Sequence, residues 1–152
     1  MLTVVGVAVI GVLLAGSLAV QVRAEAQTRR NAAAMSALGF TLDDFFLDVA
    51  RYPSAEEGLA ALVTGDPDGD GVRVPGWRGP YLRGDKVRYD RLEGQFLDAW
   101  GNPVIYWCGP DQAWVYAASA GVNGRFDTTA LGTAEFGGDE AADDRIVWVE
   151  GP

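Results

Sequence analysis

The chain has 152 residues, 21 acidic and 12 basic side chains, no histidine and one cysteine, for a formal net charge of −9. Such a length is one domain's worth with a real core, and the acidic balance, with no basic run visible in the sequence, argues against a nucleic-acid partner. Without histidine there is no Ser-His triad and no usual catalytic zinc site, and Cys108, being alone, forms no intrachain disulfide.

Residues 2–22 (LTVVGVAVIGVLLAGSLAVQV) carry no charge, which matches the roughly 20 positions that a helix needs to cross a bilayer. The run also fits a secretory signal peptide ending near Ala24-Glu25-Ala26, but no Lys or Arg precedes it as an n-region requires. Its length favours an anchor. The chain then divides into 1–22, a transmembrane helix, and 23–152, a globular domain. Met35, Leu38, Leu42, Phe45 and Val49 recur at spacings of three and four, one face of an amphipathic helix. Gly39 inside that face costs about 1 kcal/mol relative to alanine and marks a place for bending. Pro53 closes the run. One helix of about fifty residues is expected, half in lipid and half laying an apolar stripe on something.

Ser54 and Glu57 form a capping box for a second, short helix with Leu59, Leu62 and Val63 as its apolar face and Gly65 as its stop. The following Asp66, Asp68, Asp70 and Gly71 copy the first half of an EF-hand loop. The twelfth position, which must be a bidentate carboxylate, is Trp77, and two prolines in 72–81 forbid the exiting helix. The segment reads as an acidic, solvated turn.

From there the pattern turns strand-like, punctuated by Gly and Pro. Residues 104–108 and 113–119 are aromatic and β-branched with a turn at Gly109-Pro110-Asp111-Gln112; 145–149 form a last strand and 87–89 a weak one. The class is α+β: a small antiparallel sheet, apolar on one side, packed on the amphipathic half of the long helix.

Specific residues sharpen this. Arg51-Tyr52-Pro53 followed by Glu57-Gly58-Leu59-Ala60-Ala61-Leu62 resembles the R-Y-P-x-x-x-x-G-L-x-x-L segment of the G-type major pseudopilins of type II secretion. Trp77 with Gly79-Pro80-Tyr81-Leu82 is similar to that family's G-P-Y-L stretch, and Asp98-Ala99-Trp100-Gly101-Asn102-Pro103 with Ile105-Tyr106 resembles its D-P-W-G-N-P-Y-x-Y motif. Ser119-Ala120-Gly121-Val122-Asn123-Gly124, with Asp143-Asp144 downstream, resembles its S-x-G-x-D-G…D-D-I calcium loop. The matches run in family order from 51 to 146. In the DAWGNP string, Asp98 can accept a turn hydrogen bond, Gly101 and Asn102 tolerate positive φ, and Pro103 starts the next segment extended.

The resemblance implies a pilin-like fold and a non-enzymatic subunit. Such a subunit packs through apolar helices into a homo-oligomeric or mixed filament with other pseudopilins. It works with inner-membrane secretion assembly proteins, sits in the inner membrane of a Gram-negative cell with its head in the periplasm, and helps drive protein secretion. It also implies calcium, held by the carbonyls of Ala120 and Arg125 and the side chains of Asn123, Asp143 and Asp144. A cation gives two adjacent carboxylates a reason to tolerate each other; the plainer alternative is two solvated aspartates in a glycine-rich loop. Asn123 stands where the family has aspartate, which predicts weaker binding; the longer stretch beyond Gly124 brings Asp127, Asp139 and Glu140, so either one of these replaces the lost carboxylate or the site has decayed.

The link Arg83–Leu97 is also longer than the family's. The opening Met1-Leu2-Thr3-Val4-Val5 has neither the basic leader nor the glutamate at the fifth position; either the true start lies upstream or the subunit is specialised. Gly39-Phe40-Thr41-Leu42-Asp43-Asp44 mimics the leader cut site, but no bilayer-length apolar run follows it. Arg23, Arg29 and Arg30 follow the span, where the positive-inside rule would put them in the cytoplasm rather than outside. Gly6, Gly11 and Gly16 allow helices to approach closely. Two other classes compete: a membrane-tethered periplasmic calcium module that never polymerises, and an enzyme using paired carboxylates as glycosidases do. The second lacks an implied apolar pocket.

Overall fold

The structure, a computed structural model, describes residues 2–82, 88–90, 94–109, 114–126 and 145–150, with side chains from position 19 onward except at 145, 148 and 150. One helix, α1, runs from Leu2 to Val49. The strands are β1 (Arg88–Asp90), β2 (Gln95–Leu97), β3 (Ile105–Cys108), β4 (Trp114–Ser119) and β5 (Arg145–Glu150). The β1–β2 pair is antiparallel with Tyr89 opposite Phe96. The other three form an antiparallel sheet in the order β3-β4-β5, with Tyr106 opposite Ala117 and Ala117 opposite Val147. An isolated bridge pairs Leu97 of β2 with Pro103, just before β3.

Four of the five residues expected in the α1 stripe lie in the core, and the fifth, Val49, is half-buried at its edge. Met35, Leu38, Leu42 and Phe45 are buried against Leu59, Leu62, Val115, Ala117 and Val149. Each residue in the stripe removes its side chain from water, worth about 1.5–3 kcal/mol apiece before entropy is counted. Asn31, one turn before Met35, is buried on the same face. Toward its N-terminus α1 leaves the head: Ala19 to Arg30 are exposed save for half-buried Gln27. Among the described residues no helix is long and apolar enough to cross a membrane. The expected anchor at 2–22 falls mostly on positions 1–18, whose side chains lie outside those described.

Three local expectations change. Gly39 does not mark a bend; it is where β5 comes closest, since a Cβ there would lie 2.8 Å from Val147 Cγ1. The second helix is only a 3-10 turn, Gly58–Leu62. Its capping box does form, with Glu57 N donating to Ser54 Oγ (3.1 Å) and Ser54 N donating to the Glu57 carboxylate (2.7 Å). Gly58 then adopts φ +55°, which no α-helix continues through. Finally, the three-stranded sheet is apolar on both faces. Val115, Ala117, Val147 and Val149 face α1, while Tyr116, Ala118 and Ile146 make a second buried cluster with Trp107, Trp114 and Phe126. Strand β2 was not expected from the sequence; of the turn expected at Gly109-Pro110-Asp111-Gln112, all but Gly109 lies outside the described residues.

The segment after the 3-10 turn folds back over the end of α1. Trp77 Nε1 donates to Ala61 O (2.7 Å), Tyr81 N and Leu82 N both donate to Leu62 O, and Tyr81 Oη donates to Asp48 Oδ2 (3.0 Å). Arg51 grips Glu57 with both guanidinium nitrogens at 2.5 and 2.6 Å. This fork holds the Glu57 carboxyl below the usual carboxylate range and the Arg51 guanidinium above its own. Tyr106 Oη donates to Pro53 O (2.8 Å), and burial pushes that phenol well above its ordinary value. It therefore stays a neutral donor.

Candidate functional site

The DAWGNP turn and the start of the glycine loop meet at one carboxylate. Asp98 lies at the end of β2, is buried, and accepts four hydrogen bonds. Its Oδ1 takes Trp100 N (2.9 Å) and Asn102 N (2.8 Å); its Oδ2 takes Ser119 Oγ (2.8 Å) and Asn102 Nδ2 (3.2 Å). No ion pair to it occurs among the described residues. A buried carboxylate without a counter-ion survives because every lone pair has a donor.

Ser119, the last residue of β4, is fully buried and passes the contact on. Its hydroxyl proton goes to Asp98, so its oxygen is free to accept from Asn31 Nδ2 (3.0 Å) and Gly121 N (3.3 Å). Asn31 Oδ1 in turn accepts from Ala99 N (3.3 Å), and Gln27 Nε2, one turn earlier, donates to Ala99 O (2.8 Å). Helix, turn and sheet edge are thereby tied by a chain in which each proton has a defined direction. Asn102 completes it by donating to Gly121 O (2.8 Å), which pins the glycine loop to the turn.

The sequence singled out Asp98 as a turn acceptor but missed Asn31, Gln27 and the central place of Ser119. One signal was available: Asn31 sits at helical spacing from Met35 and continues the buried stripe as a polar residue. Of the two turn residues expected to tolerate positive φ, only Gly101 (94°) uses it; Asn102 contributes its side-chain amide instead.

The loop from Ala120 to Arg125 leaves this root as a tight turn, with Gly121 at φ 63° and Gly124 at φ 68°. Ala120 is buried; Asn123 and Arg125 are exposed. Asn123 Oδ1 accepts from Arg125 N at 2.7 Å, closing the turn on itself. The structure thus brings three of the five expected calcium ligands, Ala120, Asn123 and Arg125, onto one turn. The other two, Asp143 and Asp144, lie outside the described residues, as do Asp127, Asp139 and Glu140. Among the described residues no three acidic or cysteine side chains come together as a metal cluster. The acidic turn at Asp66, Asp68 and Asp70 closes on backbone instead: Gly71 N donates to Asp66 and Val72 N to Asp70.

A long helix laid on a small antiparallel sheet, leaving the head at its N-terminal end, defines a pilin-like structural subunit. Residues 19–148 match the family of type II secretion system protein G. The chain belongs to that family and is a pseudopilin subunit of type II secretion. The fold is similar to the crystal structure of the major pseudopilin from the type 2 secretion system of enterohaemorrhagic Escherichia coli. That likeness has 24% identity over 84% of this chain and 90% of the other, with a TM-score of 0.52. No curated protein matches.

Proposed function

We propose that this subunit polymerises through the N-terminal part of α1 into a periplasmic filament that helps move folded proteins outward, and that it does no catalysis. The observation that carries the reading is the helix itself. It is one continuous element over 48 residues, glued to the head by one face and projecting from it with Val20 and Val22 open to solvent (67% and 58% exposed). An apolar rod of this kind is as stable against sister helices as against lipid, so residues 2–22 serve as inner-membrane anchor before assembly and as filament core after it. Its partners are copies of itself or other pseudopilins, together with inner-membrane assembly proteins. Single cysteines placed in 2–22, with Cys108 first replaced by serine, test this by crosslinking in membranes. A ladder of oligomers supports the filament; monomers and dimers alone overturn it in favour of a tethered, non-polymerising module.

The glycine loop is the family's calcium position, and we assign calcium to Ala120 O, Arg125 O and the side chains of Asn123, Asp143 and Asp144. When bound, the ion would staple the turn after β4 to the segment just before β5, leaving the Asp98–Ser119 root to hold the turn from below. Because Asn123 contributes no formal charge, the affinity should be on the weak side of extracellular calcium modules, at about 10⁻⁴–10⁻³ M. Thermal unfolding in 5 mM calcium and in chelator provides the check. Coincident midpoints refute the assignment.

A further inference from the structure

On this strongly acidic chain, one groove is basic. It lies between the start of the head-bearing part of α1 and the β1–β2 hairpin, has a volume of about 510 Å³, and places Arg23 and Arg30 of α1 on one wall and Arg88 of β1 on the other. Gln27, Asp98 and Ala99 also line it. Among the described residues the ion pairs use Arg29, Arg51 and Arg78, and no hydrogen bond, ion pair or ring contact there engages Arg23, Arg30 or Arg88. The Asp98 carboxylate, hydrogen-bonded by Ser119, Asn102 and Trp100, also lines the groove and offsets one of the three charges, which leaves the arginines in excess. Arginines in excess around one hollow repel each other, and an anion bound there removes that repulsion.

The position of the groove identifies the anion. Arg23 is the first charge after the uncharged run 2–22. If that run spans the bilayer, Arg23 emerges at the headgroup layer, which is roughly 5–8 Å deep on each side. Arg30 follows about 10 Å further along the helix, within reach of the same layer through its long side chain. We propose that this groove binds the phosphate of an anionic phospholipid headgroup, with Arg23, Arg30 and Arg88 donating to it. The proposal rests on the anchor reading of 2–22. It gives Arg23 and Arg30 a role other than marking the cytoplasmic side, and it recruits Arg88, which is distant in sequence from any membrane segment. Bound this way, the head is held against the membrane by the same helix that anchors it, and leaving for a filament requires releasing the lipid.

The full chain, purified in mild detergent, is offered phosphatidylglycerol and phosphatidylcholine at equal concentration, and lipid retention is read by native mass spectrometry. In parallel, its flotation on pure phosphatidylcholine vesicles reports the anchor alone. The wild-type chain should retain phosphatidylglycerol in preference. Arg88→Gln should lower that retention about fivefold, as expected for loss of one surface arginine, while Arg88→Lys keeps most of it and Arg30→Gln repeats the loss from the other wall. Because Arg88 is exposed, unfolding midpoints of these variants should equal wild type. Flotation on neutral vesicles with no lipid preference, or with a preference that Arg88→Gln leaves intact, overturns the headgroup site and leaves the anchor standing. If Arg88→Gln leaves lipid retention intact but shortens the crosslinking ladder, the groove is a contact between copies and the proposal is wrong. Failure to float on neutral vesicles removes the anchor reading and the headgroup site with it.

Discussion

Replacing Asp98 with asparagine keeps the shape of the side chain and turns one acceptor into a donor. The new Oδ1 can keep Trp100 N and Asn102 N, but the new Nδ2 then faces Asn102 Nδ2 and the Ser119 hydroxyl. Ser119 Oγ already accepts from Asn31 and Gly121, and flipping the Asn102 amide would lose its bond to Gly121 O. At least one buried donor is left facing another donor, which costs about 1–3 kcal/mol. Removing the group altogether, Asp98→Ala, orphans four donors, though water can reach the half-exposed Trp100 and Asn102; about 3 kcal/mol or more is expected. For a domain of this size, a urea m-value of about 1.5 kcal/mol/M turns a 2 kcal/mol loss into a midpoint lower by roughly 1 M, with m itself unchanged. Equilibrium urea unfolding followed by tryptophan fluorescence measures this. A double-mutant cycle with Ser119→Ala should show coupling of at least about 0.5 kcal/mol, since both changes break the same bond. If Asp98→Asn unfolds within about 0.3 M of wild type, the directional chain of protons described above is not what holds the turn.

Gly39→Ala gains about 1 kcal/mol of helix propensity but meets Val147 at 2.8 Å, and overpacking costs about 1–3 kcal/mol; a net loss is expected, and Val147→Ala should be less harmful in the Gly39→Ala background than in wild type by urea midpoints. Ala50 ends α1 at φ 59°, so Ala50→Gly should stabilise by about 0.5–1 kcal/mol, and a lower melting temperature would contradict the assigned helix end. Because Glu57 is held below its unfolded value, its contribution is complete above about pH 4.5 and is lost as the pH falls through the depressed folded value. Glu57→Gln should cost roughly 1.5–3 kcal/mol at pH 7, and part of the acid slope of stability should vanish with it; midpoints between pH 6 and pH 3 at constant salt decide this.

By itself the sequence determined what is local or periodic. The 3.6-residue spacing of Met35, Leu38, Leu42 and Phe45 dictated the buried helix face, because burial follows period whatever the partner. The aromatic and β-branched runs dictated three of the five strands to within a residue, and the weak run 87–89 a fourth. The Ser54–Glu57 hydrogen bonds needed only residues three apart. Tertiary structure decided whatever joins distant residues. Asn31, Asp98 and Ser119 are 88 positions apart at the extremes, and no spacing rule links them; only docking the helix on the sheet edge brings their polar atoms within 3 Å, where low polarity makes complete pairing obligatory. The same holds for Gly39, whose missing side chain reads as a weak helix position until β5 is laid across it. It also holds for the hollow at Arg23, Arg30 and Arg88, which exists only because the β1–β2 hairpin faces the helix. Period and propensity act through the neighbouring peptide units, whereas complementarity of polar groups and of volume is a property of surfaces that meet only after folding.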